Sequence, residues 1–404
     1  MRIKANSLLQ YCATLAIIFS DILRNGNLNL LYFLSVIYFV FILKDRKSYY
    51  KQLFFLLGVL IIIQIINAFG YSSNYLNVQK SIVYILKLTL CFTLMFTIKC
   101  FYKRIGMKKV IELAMIVLSF CILLSVIKFG DPAFWRLNDY INVVSKTRLQ
   151  FMYSEPSVLG FVLGFFIIFI VYSLIKCGIT NFKTLVLCIL CLGLILTFSM
   201  SGIVYTMISI LILVEINLIR TGNKRIRSRV AFFNLFFISI VAIALFTQNP
   251  ISARLFNIVT GKDGSFYFRY TSAIIALKDI LDTTHWFGLG FGNMNTNHGL
   301  LILLESGMDY KFSNSFMYFI AESGIMGILF LVFLLIELIQ SISKSPKEVF
   351  DLKAVLLIYT FVTQIAGGYF TDPTLWLIYG IICSIDIDLN DVIVFQKTQQ
   401  GHRI

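Results

Sequence analysis

Apolar residues fall in long runs separated by short polar stretches, from one end of the chain to the other. A helix needs roughly 20 apolar residues to cross a hydrocarbon core of ~30 Å. On that measure the runs predict about twelve spanning helices, at residues 7–23, 28–43, 53–69, 82–98, 110–127, 157–175, 184–199, 202–219, 231–247, 315–340, 354–366 and 374–388. The first follows Arg2 and Lys4 as a signal peptide would, but no small-residue cleavage site leads into a soluble domain, so it reads as a retained helix. The expected fold class is an all-α polytopic membrane protein, with residues 1–404 forming a single transmembrane domain.

Two stretches between these helices are too long to be connectors, residues 128–156 and 248–314. Both are rich in aromatic and charged residues and are expected to fold over the membrane surface. In the second, Ala273, Ile274, Ala276, Leu277, Ile280 and Leu281 share one helical stripe, which predicts an interfacial amphipathic helix near 269–282. The five prolines (Pro132, Pro156, Pro250, Pro346 and Pro373) lie in loops or at helix starts, so no span is broken by proline. That, with the lack of an internal repeat, speaks against a transporter built on interrupted helices.

Composition agrees with the pattern. The chain is 58% hydrophobic and 14% charged, against about 25% charged in soluble domains. A net charge of +15 would suit nucleic acid if the cations shared one face. Instead they gather in alternate interhelical segments, such as Lys44-Asp45-Arg46-Lys47 and Arg225-Ile226-Arg227-Ser228-Arg229. The positive-inside rule then places both termini in the cytoplasm and both long loops on the opposite side. Membrane lipid is the expected partner, and nucleic acid is not. The eight cysteines lie in or at the ends of predicted helices, so no disulfide framework is expected. Cys188 and Cys191, inside an apolar helix without a second ligand pair, read as packing residues, and no metal site is predicted.

The first long loop ends in Thr147-Arg148-Leu149-Gln150-Phe151-Met152-Tyr153-Ser154-Glu155-Pro156-Ser157. Ser154 can cap the next helix and Pro156 suits its first turn. Glu155 is then either a first-turn acid favoured by the helix dipole or a carboxylate facing an outer cavity. The second loop holds Phe287-Gly288-Leu289-Gly290-Phe291-Gly292-Asn293, which lacks the Lys and Ser/Thr of a phosphate loop and reads as a tight turn. Glu322 falls about two turns into a spanning helix. An intramembrane carboxylate is costly, and so a functional candidate or the partner of a loop arginine. Arg136, Arg148, Arg254 and Arg269 lie in the outer loops, where a guanidinium can meet a headgroup or grip a phosphate bidentately.

Together, Arg269, the glycine turn after it, and the helix that opens Asn314-Ser315-Phe316 and continues Ala321-Glu322-Ser323-Gly324-Ile325-Met326-Gly327 resemble the signature region of the O-antigen polymerase and O-antigen ligase superfamily. The stretch Arg148 to Pro156 resembles the arginine and Glu-Pro element of its polymerase (Wzy-type) branch. The ligase branch carries a histidine directly before the asparagine. Here that position is Ser313, and the histidines are His285, His298 and His402.

The resemblance implies a GT-C-like architecture and a glycosyltransferase that joins undecaprenyl-diphosphate-linked oligosaccharide repeat units at the periplasmic face of the bacterial inner membrane. The product would be O-antigen or a related surface polysaccharide. Donor and acceptor would both be lipid-linked, no cofactor or metal would be needed, and a chain-length regulator protein would be a further partner. Glu155 and Glu322 are the catalytic candidates, with Glu155 preferred as base because a helix start is easier to reach. Arg148 and Arg269, then Arg136 and Arg254, are expected at the diphosphate; Trp135, Tyr153, Trp286 and Asn314 are expected at the sugars. The alternatives are a ligase passing polymer to lipid A-core and a flippase or transporter of lipid-linked oligosaccharide.

Overall fold

The computed structural model describes residues 2–21, 29–45, 47–70, 76–137, 147–220, 267–305 and 314–384, together with Phe312 and scattered positions between 228 and 262. The first five helices are α1 (Arg2–Ile18), α2 (Leu30–Asp45), α3 (Lys47–Gly70), α4 (Val78–Ile105) and α5 (Met107–Ile127). A hairpin of β1 (Trp135–Leu137) and β2 (Thr147–Leu149) leads to α6 (Pro156–Cys177), α7 (Asn181–Leu196) and α8 (Met200–Arg220). A π turn, Phe268–Ser272, runs into α9 (Ala273–Thr283). A short 3-10 turn, Asn293–Asn295, precedes α10 (Asn297–Glu305), and the chain closes with α11 (Ser315–Ser343), α12 (Lys347–Ala366) and α13 (Pro373–Cys383).

Six of these helices are long and apolar enough to cross a membrane: α4, α5, α6, α8, α11 and α12. Shorter apolar stretches lie in α1, α2, α3, α7 and α13. The predicted segments fall on these helices, except that at 231–247, which lies outside the described residues, as does Arg254. The chain is a multi-pass helical membrane protein. Large apolar side chains such as Phe55, Phe69, Ile82, Phe120, Leu329 and Phe333 are exposed on the bundle surface, where hydrocarbon can cover them.

Two packing centres hold the bundle. Helix α6 is buried along nearly its whole length and lies against α7, α8 and α12; the Tyr359 hydroxyl of α12 donates to the Phe161 carbonyl at 2.8 Å. Helix α4 packs against α2, α3 and α13. There Trp376 meets Phe92 edge-on at 4.6 Å and Phe370 at 5.1 Å, and its indole N–H donates to the Phe370 carbonyl. Ion pairs Lys99–Glu337 and Lys176–Asp351, the latter at 3.8 Å, tie α4 to α11 and α6 to α12 at the end of the bundle away from the hairpin.

Candidate active site

The hairpin is antiparallel, with Trp135 opposite Leu149, Arg136 opposite Arg148, and Leu137 opposite Thr147. Strand geometry sends successive side chains to opposite faces. Trp135 and Leu149 are buried on one face, and the Trp135 indole donates to the Ser125 carbonyl at 2.9 Å. The two arginines share the other face. Arg148 is committed to the end of α7, where Nε donates to the Thr197 carbonyl at 2.9 Å and Nη2 to that of Phe198 at 3.3 Å. After the hairpin, the Gln150 amide donates to the Tyr153 and Ser154 carbonyls. The fully buried Tyr153 donates to the Ile17 carbonyl at 2.8 Å. This turn delivers Glu155 as the N-cap residue of α6, with Pro156 in the first turn. The cap therefore sits one residue later than the Ser154 read from the sequence. Glu155 does not close it with its side chain; its carboxylate accepts the Ser157 hydroxyl at 3.0 Å.

The glycine run is more than a tight turn. Gly288, Gly290 and Gly292 all have positive φ, and Gly324, inside α11, breaks that helix with φ 63° and ψ −147°. The break frees backbone groups that the loop takes up. Leu289 N–H donates to the Ala321 carbonyl at 3.0 Å, Gly290 N–H to that of Glu322 at 2.8 Å, and Ile325 N–H to that of Trp286 at 2.9 Å. Irregular backbone at membrane depth survives only when protein satisfies it in this way. A Cβ on Gly288 would lie 2.5 Å from the Gly324 nitrogen, so contact this close needs glycine. The loop also docks on α3 and α4: Phe291 N–H donates to Gln64 at 2.9 Å, Ser81 donates to the Phe291 carbonyl at 2.7 Å, and Tyr84 stacks on Phe291. Fully buried behind this loop, Glu322 accepts the Met294 N–H at 3.3 Å, with the Tyr84 and Tyr318 hydroxyls alongside.

A cavity of about 920 Å³ opens between β1, the start of α6, the glycine loop and the α12–α13 connection. Glu155, Arg136 and Arg269 line it together. Arg269 is aimed by one Nη1 bond to the Ala366 carbonyl, at the end of α12, at 2.9 Å. The other named candidates stand elsewhere. Arg148, Trp135 and Tyr153 serve the packing just described. Glu322 lies behind the wall, where Tyr84, Tyr318 and Gly292 face the cavity. Asn314 caps α11 by accepting the Phe316 and Met317 N–H groups. Trp286 is half-exposed and does not line the cavity.

The sequence reading missed Asp21, Lys80, Lys87, Tyr369 and Asp372 on the cavity wall. A signal existed for two of them: Lys87 is charged inside an apolar run, and Asp372-Pro373 is a helix-start pair. Burial raises the Asp372 carboxyl above its ordinary value, an effect that Thr374 opposes and Asp21 adds to. Burial, with the nearby Glu155 charge, likewise raises the Tyr369 hydroxyl. The cavity thus brings cations and carboxylates together on one wall. Among the described residues no cluster of His, Cys, Asp and Glu has metal-site geometry. A family model described as WcaD colanic acid polymerase matches residues 27–385. No curated protein matches the chain.

Proposed function

The chain belongs to the WcaD colanic acid polymerase family, and on that premise we propose that it extends a surface polysaccharide from undecaprenyl-diphosphate-linked repeat units, in the cavity at the hairpin end and on the periplasmic face of the inner membrane. The observation that carries the reading is the convergence of Glu155, Arg136 and Arg269 on one cavity.

In this reaction an acceptor sugar hydroxyl attacks the anomeric carbon of the donor chain. Glu155 takes the hydroxyl proton, a new C–O bond forms, and the bond from the anomeric carbon to the diphosphate breaks, its electron pair leaving with the diphosphate. The departing group gains charge as the bond breaks. Guanidinium groups placed where that charge develops stabilise the transition state more than the ground state. Arg269 and Arg136 hold this position, and their cations do the work otherwise done by a divalent metal. Arg148 contributes by holding β2 to α7, which fixes Arg136 across the hairpin. Glu322 steadies the Gly292–Met294 turn that forms one wall.

Deleting the gene and sizing the surface glycan on a gel tests this reading. Glycan capped at one repeat unit, restored by the wild-type plasmid but by neither Arg269→Ala nor Arg269→Lys, is the expected result. Near-normal polymer from Arg269→Lys would remove the bidentate grip from the mechanism. Long polymer accumulating on the lipid carrier would mean a ligase, and single units held on the cytoplasmic leaflet a flippase.

A further inference from the structure

Asn77, the cap of helix α4, and Lys80, Val83, Tyr84 and Lys87 of that helix line the cavity wall. Spacings of three and four place these residues on one helical face. Lys80 and Lys87 therefore stand two turns apart, about 10 Å along the axis, one near the mouth and one deeper. The face is rigidly set. Asn77 caps α4 by accepting the Lys80 N–H at 3.0 Å, and its own N–H donates to the Asn293 side chain at 2.7 Å. The Lys80 ammonium donates to the Asn295 carbonyl. Lys87 is half-buried, in the neighbourhood of Cys91 and Asp372.

The reaction proposed above involves two carriers, and each brings a diphosphate. Only the donor's departs. The acceptor's diphosphate keeps its charge throughout and needs holding, not transition-state stabilisation. Arginine's planar fork suits the first task, and lysine's mobile point charge is enough for the second. The cavity divides its cations in the same way, with arginines from the hairpin and the π turn and two lysines from α4. Resting on the polymerase reading, we infer that the α4 face is a second diphosphate site, which holds the acceptor lipid while Arg136 and Arg269 hold the donor. Asp21, Glu155 and Asp372 line the same cavity and keep the two anionic heads from sharing one set of cations.

Native mass spectrometry of the full chain with undecaprenyl diphosphate tests this directly. The wild type should carry two lipids and Lys80→Gln/Lys87→Gln one; Lys80→Arg/Lys87→Arg should again carry two, which separates lost charge from lost fold. One lipid on the wild type, or two on the Gln variant, overturns the inference. Kinetics give a second readout, using a lipid-linked repeat unit whose oxygen between the anomeric carbon and the diphosphate is replaced by a methylene, so that this bond cannot break and the unit can only accept. The Gln variant should raise KM for this acceptor by about tenfold and leave kcat within about twofold, the pattern of lost uniform binding. A fall in kcat at unchanged KM would overturn the assignment. Failure of the polymerase reading looks different: no polymer from the wild type, with the count of bound lipids untouched.

Discussion

Arg136 and Arg148 face each other across the hairpin, and like charges directly opposite are destabilising. The pair is tolerable because the two meet different partners: carbonyls of Thr197 and Phe198 take up Arg148, while Arg136 looks into the cavity, where an anion would complete the arrangement. Glu155 is prepared differently, at a helix start where its carboxylate accepts the Ser157 hydroxyl. Glu155→Gln keeps the shape and removes the proposed base. It should slow polymer formation by about 100-fold or more without changing the thermal midpoint, as in vitro polymerisation and melting of the purified protein would show. Asp372 carries a pH prediction. Its carboxyl is raised by burial, so folding favours the neutral form, a contribution fully present below the unfolded pKa of about 3.9 and lost as pH rises through the folded value. Asp372→Asn keeps a capping acceptor and cannot ionise. Its midpoint should match the wild type near pH 4 and exceed it at pH 7; equal midpoints at both would contradict the assignment.

At the scale of elements, the broken helix α11 and the glycine loop are one unit. Each lacks backbone partners alone and supplies them to the other. Gly324 occupies a region of backbone space essentially closed to side chains, and a Cβ there would overlap the Trp286 and Phe287 carbonyls. Gly324→Ala should lower the melting midpoint by several degrees and abolish polymer, since strain and collision together cost more than the ~1–2 kcal/mol of a left-handed residue alone. Gly58→Ala, in α3 with nothing near its added methyl, should melt like the wild type or slightly higher. The break also removes one argument drawn from the sequence. Proline placement implied uninterrupted spans, yet a glycine interrupts one, because a nearby loop can satisfy what the break exposes.

For the whole molecule, the cavity lies at the end where α4 and α6 begin and α12 finishes, with the Lys99–Glu337 and Lys176–Asp351 pairs at the other. If the cavity faces the periplasm, Gln79→Cys in a cysteine-free background should react with a membrane-impermeant maleimide on intact spheroplasts. Ser343→Cys, at the far end of α11, should react only after permeabilisation. The reverse labelling would turn the proposed topology over.

The sequence by itself determined the membrane class, the positions of the apolar helices among the described residues, and the residues that carry the resemblance, Arg269, Glu155 and the glycine run among them. These are local properties: apolar run length, a Glu-Pro helix start, glycines where φ must be positive. It did not determine which polar residues share a cavity. Arg136 and Arg148 carry the same charge in the same loop, and only the strand register and the position of the α7 terminus send one to carbonyls and the other to the cavity. Asp21, the Lys80–Lys87 pair and Asp372 are far apart along the chain and come together because α4 packs between α2, α3 and α13. Convergence of this kind is a property of packing, and no pattern along the chain records it.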